Sequence, residues 1–206
     1  MAHIPVAVRR QQLLDAAVAV VAREGADGAT TRRIAEEAGA PLATLHYCFQ
    51  TKENLLWATF EKLADTVRLD VDRVAAPSES TTAIATHLVE QAVRWGIENP
   101  VANRAQIEIT LWAERNDPAF ATRVYDLFVE SWKGILATAK APLPDDELET
   151  LVRVIIALLD GLAMQLIAHG DESKVLREAE TARLMLAAYL GRRSRLRPSR
   201  PTTSRG

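Results

Sequence analysis

Apolar residues recur along this chain at the spacing of a helix, and almost nowhere at the alternation of a strand. Leu14, Ala17, Val18 and Val21 form one such stripe. They predict a first helix from about Val8 to Glu24, with Gly25 past its end. Thr31 is placed to cap a short second helix reaching Ala38, and Gly39 ends it. Pro41 suits the first position of a very short third helix, Pro41 to Cys48, because its missing N–H needs no partner there. Thr51 can cap a fourth, whose stripe runs through Leu56, Phe60, Leu63, Val67, Val71 and Val74 before Pro77.

The same reading continues to the end. Ser80 to Glu98 predicts a fifth helix, closed by Asn99-Pro100, and Val101 to Glu114 a sixth. Asp117-Pro118 is a cap followed by a helix-opening proline, and the seventh helix runs towards Ala141. Asp145, Asp146 and Glu147 crowd the first turn of an eighth, where acids suit the helix dipole. That helix is apolar nearly all round, so it needs cover on several sides, by its own chain and by a partner. Gly170 ends it, Ser173 can cap a ninth, and Gly191 closes that one. Residues 192–206 carry no apolar period and read as a basic, disordered tail. With no strand pattern and no internal repeat, the fold class is all-α.

Composition narrows the class of protein. The chain has 206 residues, 48% hydrophobic and 25% charged, enough to bury a globular core. No unbroken apolar run approaches the roughly 18 residues of a membrane span. The first residues lack the basic-then-apolar layout of a secretory signal. These features predict a cytoplasmic protein with no membrane partner. One cysteine, Cys48, leaves no disulfide framework. Cys48 and His46 are too few ligands for a metal, and nothing calls for a cofactor.

The net charge of -2 does not announce a nucleic-acid binder. Its distribution is more informative. Residues 1–62 carry seven basic and seven acidic side chains, residues 63–190 twelve and twenty, and residues 191–206 six arginines and no acid. A polyanion must therefore be met by a local face of the first segment, or by the tail.

The stretch Thr31 to Phe49, TRRIAEEAGAPLATLHYCF, supplies such a face. Two short helices joined by a glycine turn make a helix-turn-helix. Ile34, Ala35, Ala38, Leu45 and Phe49 fall on the inward side. Leu42, Ala43, Thr44, His46 and Tyr47 fall on the outward side of a helix sized for the major groove, about 12 Å wide. Arg32 and Arg33 either touch phosphates or solvate the second helix, and Arg9 and Arg10 are candidates for a flexible arm.

Arg9–Gly25, Thr30-Thr31, Ile34-Ala35, Ala38-Gly39, Thr44-Leu45, Tyr47, Phe49, Lys52-Glu53 and Leu55-Leu56 stand in the order and spacing of a known module. This stretch resembles the DNA-binding domain of tetracycline-repressor-type, or TetR-family, regulators. Leu111 to Arg115, Asp117-Pro118 and Asp160-Gly161-Leu162 are similar to segments of that family's variable domain. The resemblance implies a nine-helix, two-domain fold. Residues 1–7 would be an arm and 8–54 a DNA-binding domain with its motif at 31–50. Residues 55–191 would bind an effector and dimerise.

The resemblance also implies roles. Thr31, Lys52 and the Tyr47 hydroxyl would meet phosphates, while Leu42, Ala43, Thr44 and His46 would face base edges or adjoining backbone. His46 and Cys48 depart from the family's usual aromatic and histidine, and Pro41 from its serine or threonine. Phe60, Leu63, Trp95, Gln106, Thr110, Trp112, Tyr125, Phe128 and Asp160 would line a pocket for a small, largely apolar effector. Asp160 stands out, because a carboxylate in an apolar helix is costly unless paired. Ile155, Leu159, Leu162, Met185, Leu186 and Tyr189 would form a homodimer interface. The expected function is a repressor that binds a palindromic operator as a dimer and is released by its effector. Two competitors remain. One is a helical ligand-binding dimer without specific DNA binding. The other is an all-helical enzyme, for which no Ser/His/Asp set, phosphate loop or paired carboxylate speaks.

Overall fold

The computed structural model describes residues 5–72 and 80–196, and these hold nine α-helices and no strand. They are α1 (Val6–Gly28), α2 (Thr31–Glu37), α3 (Leu42–Phe49), α4 (Lys52–Asp72), α5 (Thr81–Glu98), α6 (Pro100–Asn116), α7 (Pro118–Ala137), α8 (Asp145–His169) and α9 (Glu172–Leu196). Several boundaries follow the capping logic of the sequence. Ser80 caps α5 by accepting from Ala83 N, and Asp117 caps α7 by accepting from Ala119 N and Phe120 N, both at 3.1 Å. Gly170, in the left-handed region at φ 63°, ends α8.

Other boundaries differ, each for a local reason. Helix α1 begins at Val6, with Arg9 N on the Pro5 carbonyl at 3.0 Å. Arg9 and Arg10 are therefore helical and not part of an arm. Thr30, not Thr31, caps α2, since Thr30 has the extended backbone a cap needs and accepts from Arg33 N. Pro41 is likewise extended and precedes α3 instead of opening it. Asp171 replaces Ser173 as the cap of α9: its Oδ1 accepts from Lys174 N at 2.9 Å and from Ser173 Oγ at 2.8 Å. Those bonds, the one from Lys174 N foremost, hold the Asp171 carboxyl below its ordinary value. Helix α7 stops at Ala137, short of Ala141.

Helix α9 continues past Gly191 to Leu196, so residues 192–196 are helical and not tail. Arg193 anchors this extension, bonding Tyr189 Oη at 2.9 Å and pairing with Glu147 of α8 at 2.6 Å. Residues 197–206 lie outside the described residues, as do Val74 and Pro77, and the side chain of Val71 is not described.

Two large apolar clusters hold the helices. The first joins Leu13, Ala17, Val20, Ile34, Leu45, Phe49, Leu55, Leu56 and Phe60 to Ile109, Trp112, Phe120 and Val124. It therefore runs continuously from α1–α4 into α6 and α7, across the division expected at residue 54. The second joins Val67, Ile84, Leu88, Trp95, Trp132, Leu151, Val152, Ile155 and Leu186, from α4, α5 and α7–α9. The apolar stripe of α4 enters both.

Helix α8 is long and apolar enough to cross a membrane by length and composition, with an 18-residue window of mean hydropathy 2.0. Arg153 and Asp160 interrupt its apolar sequence, so it contains no unbroken apolar run of that length. Only 28% of that window is buried within this chain. Its inward side, Leu151, Val152, Ile155 and Ile156, sits in the second cluster, while Val154 and Met164 are exposed. Asp117 offers a direct test of the capping argument. Asp117→Ala should cost about 1 kcal/mol, measured as a lower urea midpoint at unchanged m-value.

Candidate nucleic-acid interface and effector cavity

Helices α2 and α3 meet through small residues and a tight turn. Ile34 and Ala35 are buried with Leu45 and Phe49 in the first cluster. Gly39 adopts φ 57°, a conformation that glycine reaches without penalty. The turn closes through Gly39 N on the Glu36 carbonyl at 3.1 Å and Ala40 N on the Ala35 carbonyl at 2.9 Å. With its inner face locked, α3 turns Leu42, Ala43, His46 and Tyr47 outward, and Tyr47 is 75% exposed. Thr44 and Cys48 are half-buried.

The far end of α3 is held as firmly. Gln50 has φ 64° and ψ -54°, and Thr51 N donates across it to the Phe49 carbonyl at 2.7 Å. This is a γ-turn of the strained kind. Thr51 then caps α4, accepting from Asn54 N at 3.1 Å. Arg10 stacks over Phe49, 5.1 Å from the ring centroid.

The basic side chains divide by what already binds them. Arg33 pairs with Glu24, and Arg23 with Glu24 and Glu37 at about 3.2 and 3.1 Å. This cluster ties α1 to α2. Burial works to raise the Glu24 carboxyl, but bonds from Arg23 and Arg33 outweigh it and hold it low. Among the described residues Arg32 pairs with Glu36 on its own helix alone, and it is 81% exposed. Lys52 donates to the Asp27 carbonyl at 3.0 Å and sits 5.9 Å from the Trp112 ring. Burial lowers its pKa. An ammonium carries three donors, so this anchoring leaves two for another acceptor. Thr31 is half-exposed at the start of α2.

Between α4–α9 lies a cavity of about 70 Å³. Four of the side chains anticipated for an effector line it: Trp95, Gln106, Phe128 and Asp160. Five do not. Phe60 is wholly buried behind Phe128, with ring centroids 5.7 Å apart. Leu63 and Trp112 are core residues of the first cluster, and the Thr110 hydroxyl turns back to the Gln106 carbonyl. Tyr125 stands outside the lining and donates to Asp160 Oδ2 at 3.4 Å. Trp132 lines it too, beside aliphatic residues such as Val67, Ile156, Leu166 and Val175 that the sequence does not single out as lining. Trp132 carried a signal as an aromatic on a middle helix, but the aliphatic residues look like any core.

The polar side chains of the cavity are Asn103, Gln106, Asp160 and the indole N–H of Trp95, and two of these lack a partner among the described residues. Trp95 Nε1 and Gln106 Oε1 are buried without a hydrogen-bond partner, which is uncommon for buried polar atoms. Burial raises the Asp160 pKa, against the Tyr125 hydrogen bond. Burial, and then the nearby Asp160 charge, raise that of Tyr125.

The dimer residues expected from the sequence also separate. Ile155, Leu162 and Leu186 are buried inside this chain, at 0%, 8% and 5% exposure, and cannot present an outer face. Leu159 lines the cavity. Met185 and Tyr189 are exposed, together with Val154, Met164 and Leu184. On a helix apolar on both sides, helical spacing alone does not say which stripe turns inward.

A compact helix-turn-helix presenting a polar-tipped face, coupled to a cavity among the remaining helices, defines a DNA-binding regulator with an effector site. Residues 13–59 match the family described as bacterial regulatory proteins, tetR family. The chain is 33% identical over 187 residues to a nicotine-responsive transcriptional repressor, HdnoR, of Paenarthrobacter nicotinovorans, covering 89% of this chain and 95% of that one. It is 29% identical over 160 residues to the transcriptional regulator BetI of Rhizobium meliloti, covering 75% and 76%. Among solved structures, the multidrug binding protein EbrR complexed with ethidium superposes with a TM-score of 0.67 at 26% identity, over 89% of this chain and 99% of that one. The chain belongs to the TetR family and is a ligand-responsive, DNA-binding transcriptional repressor.

The raised Asp160 pKa makes a signed prediction. The fold favours the protonated carboxyl, so stability falls as pH rises out of the ordinary carboxylate range. Asp160→Asn should therefore raise Tm at neutral pH by a few degrees. The advantage should vanish as pH falls towards about 4, and calorimetry across that range checks it.

Proposed function

We propose that the protein binds an inverted-repeat operator as a homodimer and leaves it when a small, largely apolar effector fills the cavity. Residues 8–54 would form the reading head and 55–191 the effector and dimerisation domain. The observation that carries the reading is the division of α3. Leu45 and Phe49 are buried, while Leu42, Ala43, His46 and Tyr47 stand outward with no packing role. Leu42 and Ala43 suit methyl contacts with thymine, His46 a base edge, and the Tyr47 hydroxyl a phosphate. Thr31, Arg32 and the free donors of Lys52 would meet the flanking backbone. Thr44 would contribute its hydroxyl at the groove edge.

The exposed Val154, Met164, Leu184, Met185 and Tyr189 of α8 and α9 support a two-fold interface between copies. Apolar surface of this extent is expected to be covered by a partner. Two-fold symmetry then demands half-sites spaced by turns of the duplex. The effector would act through its unequal affinity for the DNA-bound and released arrangements of the two heads. The nicotine response named for the relative makes nicotine a natural first compound to try for release.

Enrichment from a pool of random duplexes tests the reading. It should recover an inverted repeat, and recovery of no preferred sequence would leave only a helical ligand-binding dimer. Lys52→Ala should weaken binding to all duplexes alike. It should also reduce the slope of log affinity against log salt by about one per subunit contact, measured by fluorescence anisotropy across a salt series.

A further inference from the structure

We infer that the effector is an organic cation, an ammonium group on an apolar body, held between the Asp160 carboxylate and the aromatic rings of Trp95, Phe128 and Trp132. This rests on the reading of the cavity as the effector site and adds the chemistry of its occupant.

Among the described residues, Asp160 is the sole ionisable side chain lining the cavity. Its one hydrogen-bond partner among them is the neutral Tyr125 hydroxyl, at 3.4 Å. No Lys, Arg or His among them pairs with it. Arg153, two turns away on the same helix, is taken by Glu149 at 3.0 Å. A carboxylate in an apolar wall is costly without a counter-charge, and here the described residues supply none. Three aromatic rings share the space, and the negative face of such rings attracts ammonium groups. Gln106 Oε1 is a buried acceptor without a donor.

Other ligand classes fit less well. An anion would meet Asp160 with no basic side chain to offset it. A neutral apolar molecule would bury Asp160 and Gln106 Oε1 further and pair neither. The volume of about 70 Å³ holds roughly five waters. An apolar cavity of about 150 Å³ takes up benzene, so an aromatic cation enters here only as the wall opens.

Isothermal titration of the full chain, without DNA, separates charge from shape. N,N-dimethylbenzylamine, protonated at neutral pH and able to donate its N–H to Gln106 Oε1, is the probe, and isobutylbenzene its neutral carbon isostere. The cation should bind the wild type more tightly than the isostere. Asp160→Asn should weaken the cation about tenfold, while changing the isostere by less than about twofold. Gln106→Met keeps the carboxylate and should weaken the cation by a smaller factor. It serves as a second variant should Asp160→Asn repack the cavity wall. The inference is overturned if the isostere binds as tightly as the cation, if the cation does not bind at millimolar concentration, or if Asp160→Asn leaves its affinity unchanged. Duplex enrichment with the same preparation distinguishes the two failures. A recovered operator with no cation binding removes only the ligand class, whereas no operator removes the functional reading itself.

Discussion

The cavity and the DNA-facing head are joined by one continuous stack of aromatic rings. From Trp132 and Phe128 on the cavity wall, ring centroids step 6.0 Å to one another and 5.7 Å to Phe60. From Phe60 the series passes to Trp57 at 6.3 Å, Phe120 at 5.4 Å and Trp112 at 5.9 Å. Lys52 lies over Trp112. Protein interiors are close-packed and yield by switching between arrangements more than by flowing. Phe60 of α4, wholly buried, is the ring packed edge-on behind Phe128. Arg123 stacks on Trp57 at 3.7 Å and covers this column from outside.

That arrangement explains why the two apolar clusters meet on α4. Leu55, Leu56 and Phe60 pack into the first cluster, Val67 into the second. The head is thus no independent module: Ile109, Trp112 and Phe120 of α6 and α7 complete its core. The cavity, in turn, is left with Asp160 short of a counter-charge and Trp95 and Gln106 unsatisfied. Local cost of this kind concentrates at binding sites, where a ligand relieves it.

Much of the fold was legible from the chain. Helical spacing and the Asn99-Pro100, Asp117-Pro118 and Gly170 signals mark the helices of the larger half. The order of small and apolar residues from Thr31 to Phe49 marks the helix-turn-helix. What escaped was geometry beyond one helix. Gly191 looked like an end because the anchor of Arg193 on Glu147 lies in another element. Asp171 and Thr30 were passed over for neighbours of equal capping chemistry. Thr110 and Trp112 lie one to three turns beyond Gln106 and Asn103, the residues of α6 that the cavity uses. Ile155 and Leu186 were assigned outward because α8 and α9 are apolar on both sides, and periodicity is silent about which stripe the chain itself covers. Asp160 was found because a charge in an apolar helix is visible without coordinates.

The γ-turn at Gln50 carries a last implication. A non-glycine residue in that conformation costs about 1–3 kcal/mol, and it fixes where α3 stops relative to α4. The four outward positions of α3 play no part in that joint or in the core beneath it. They form an interchangeable cassette on a rigid mount. On the reading proposed above, substitution there alone would retarget the protein, leaving the cavity and its lining untouched.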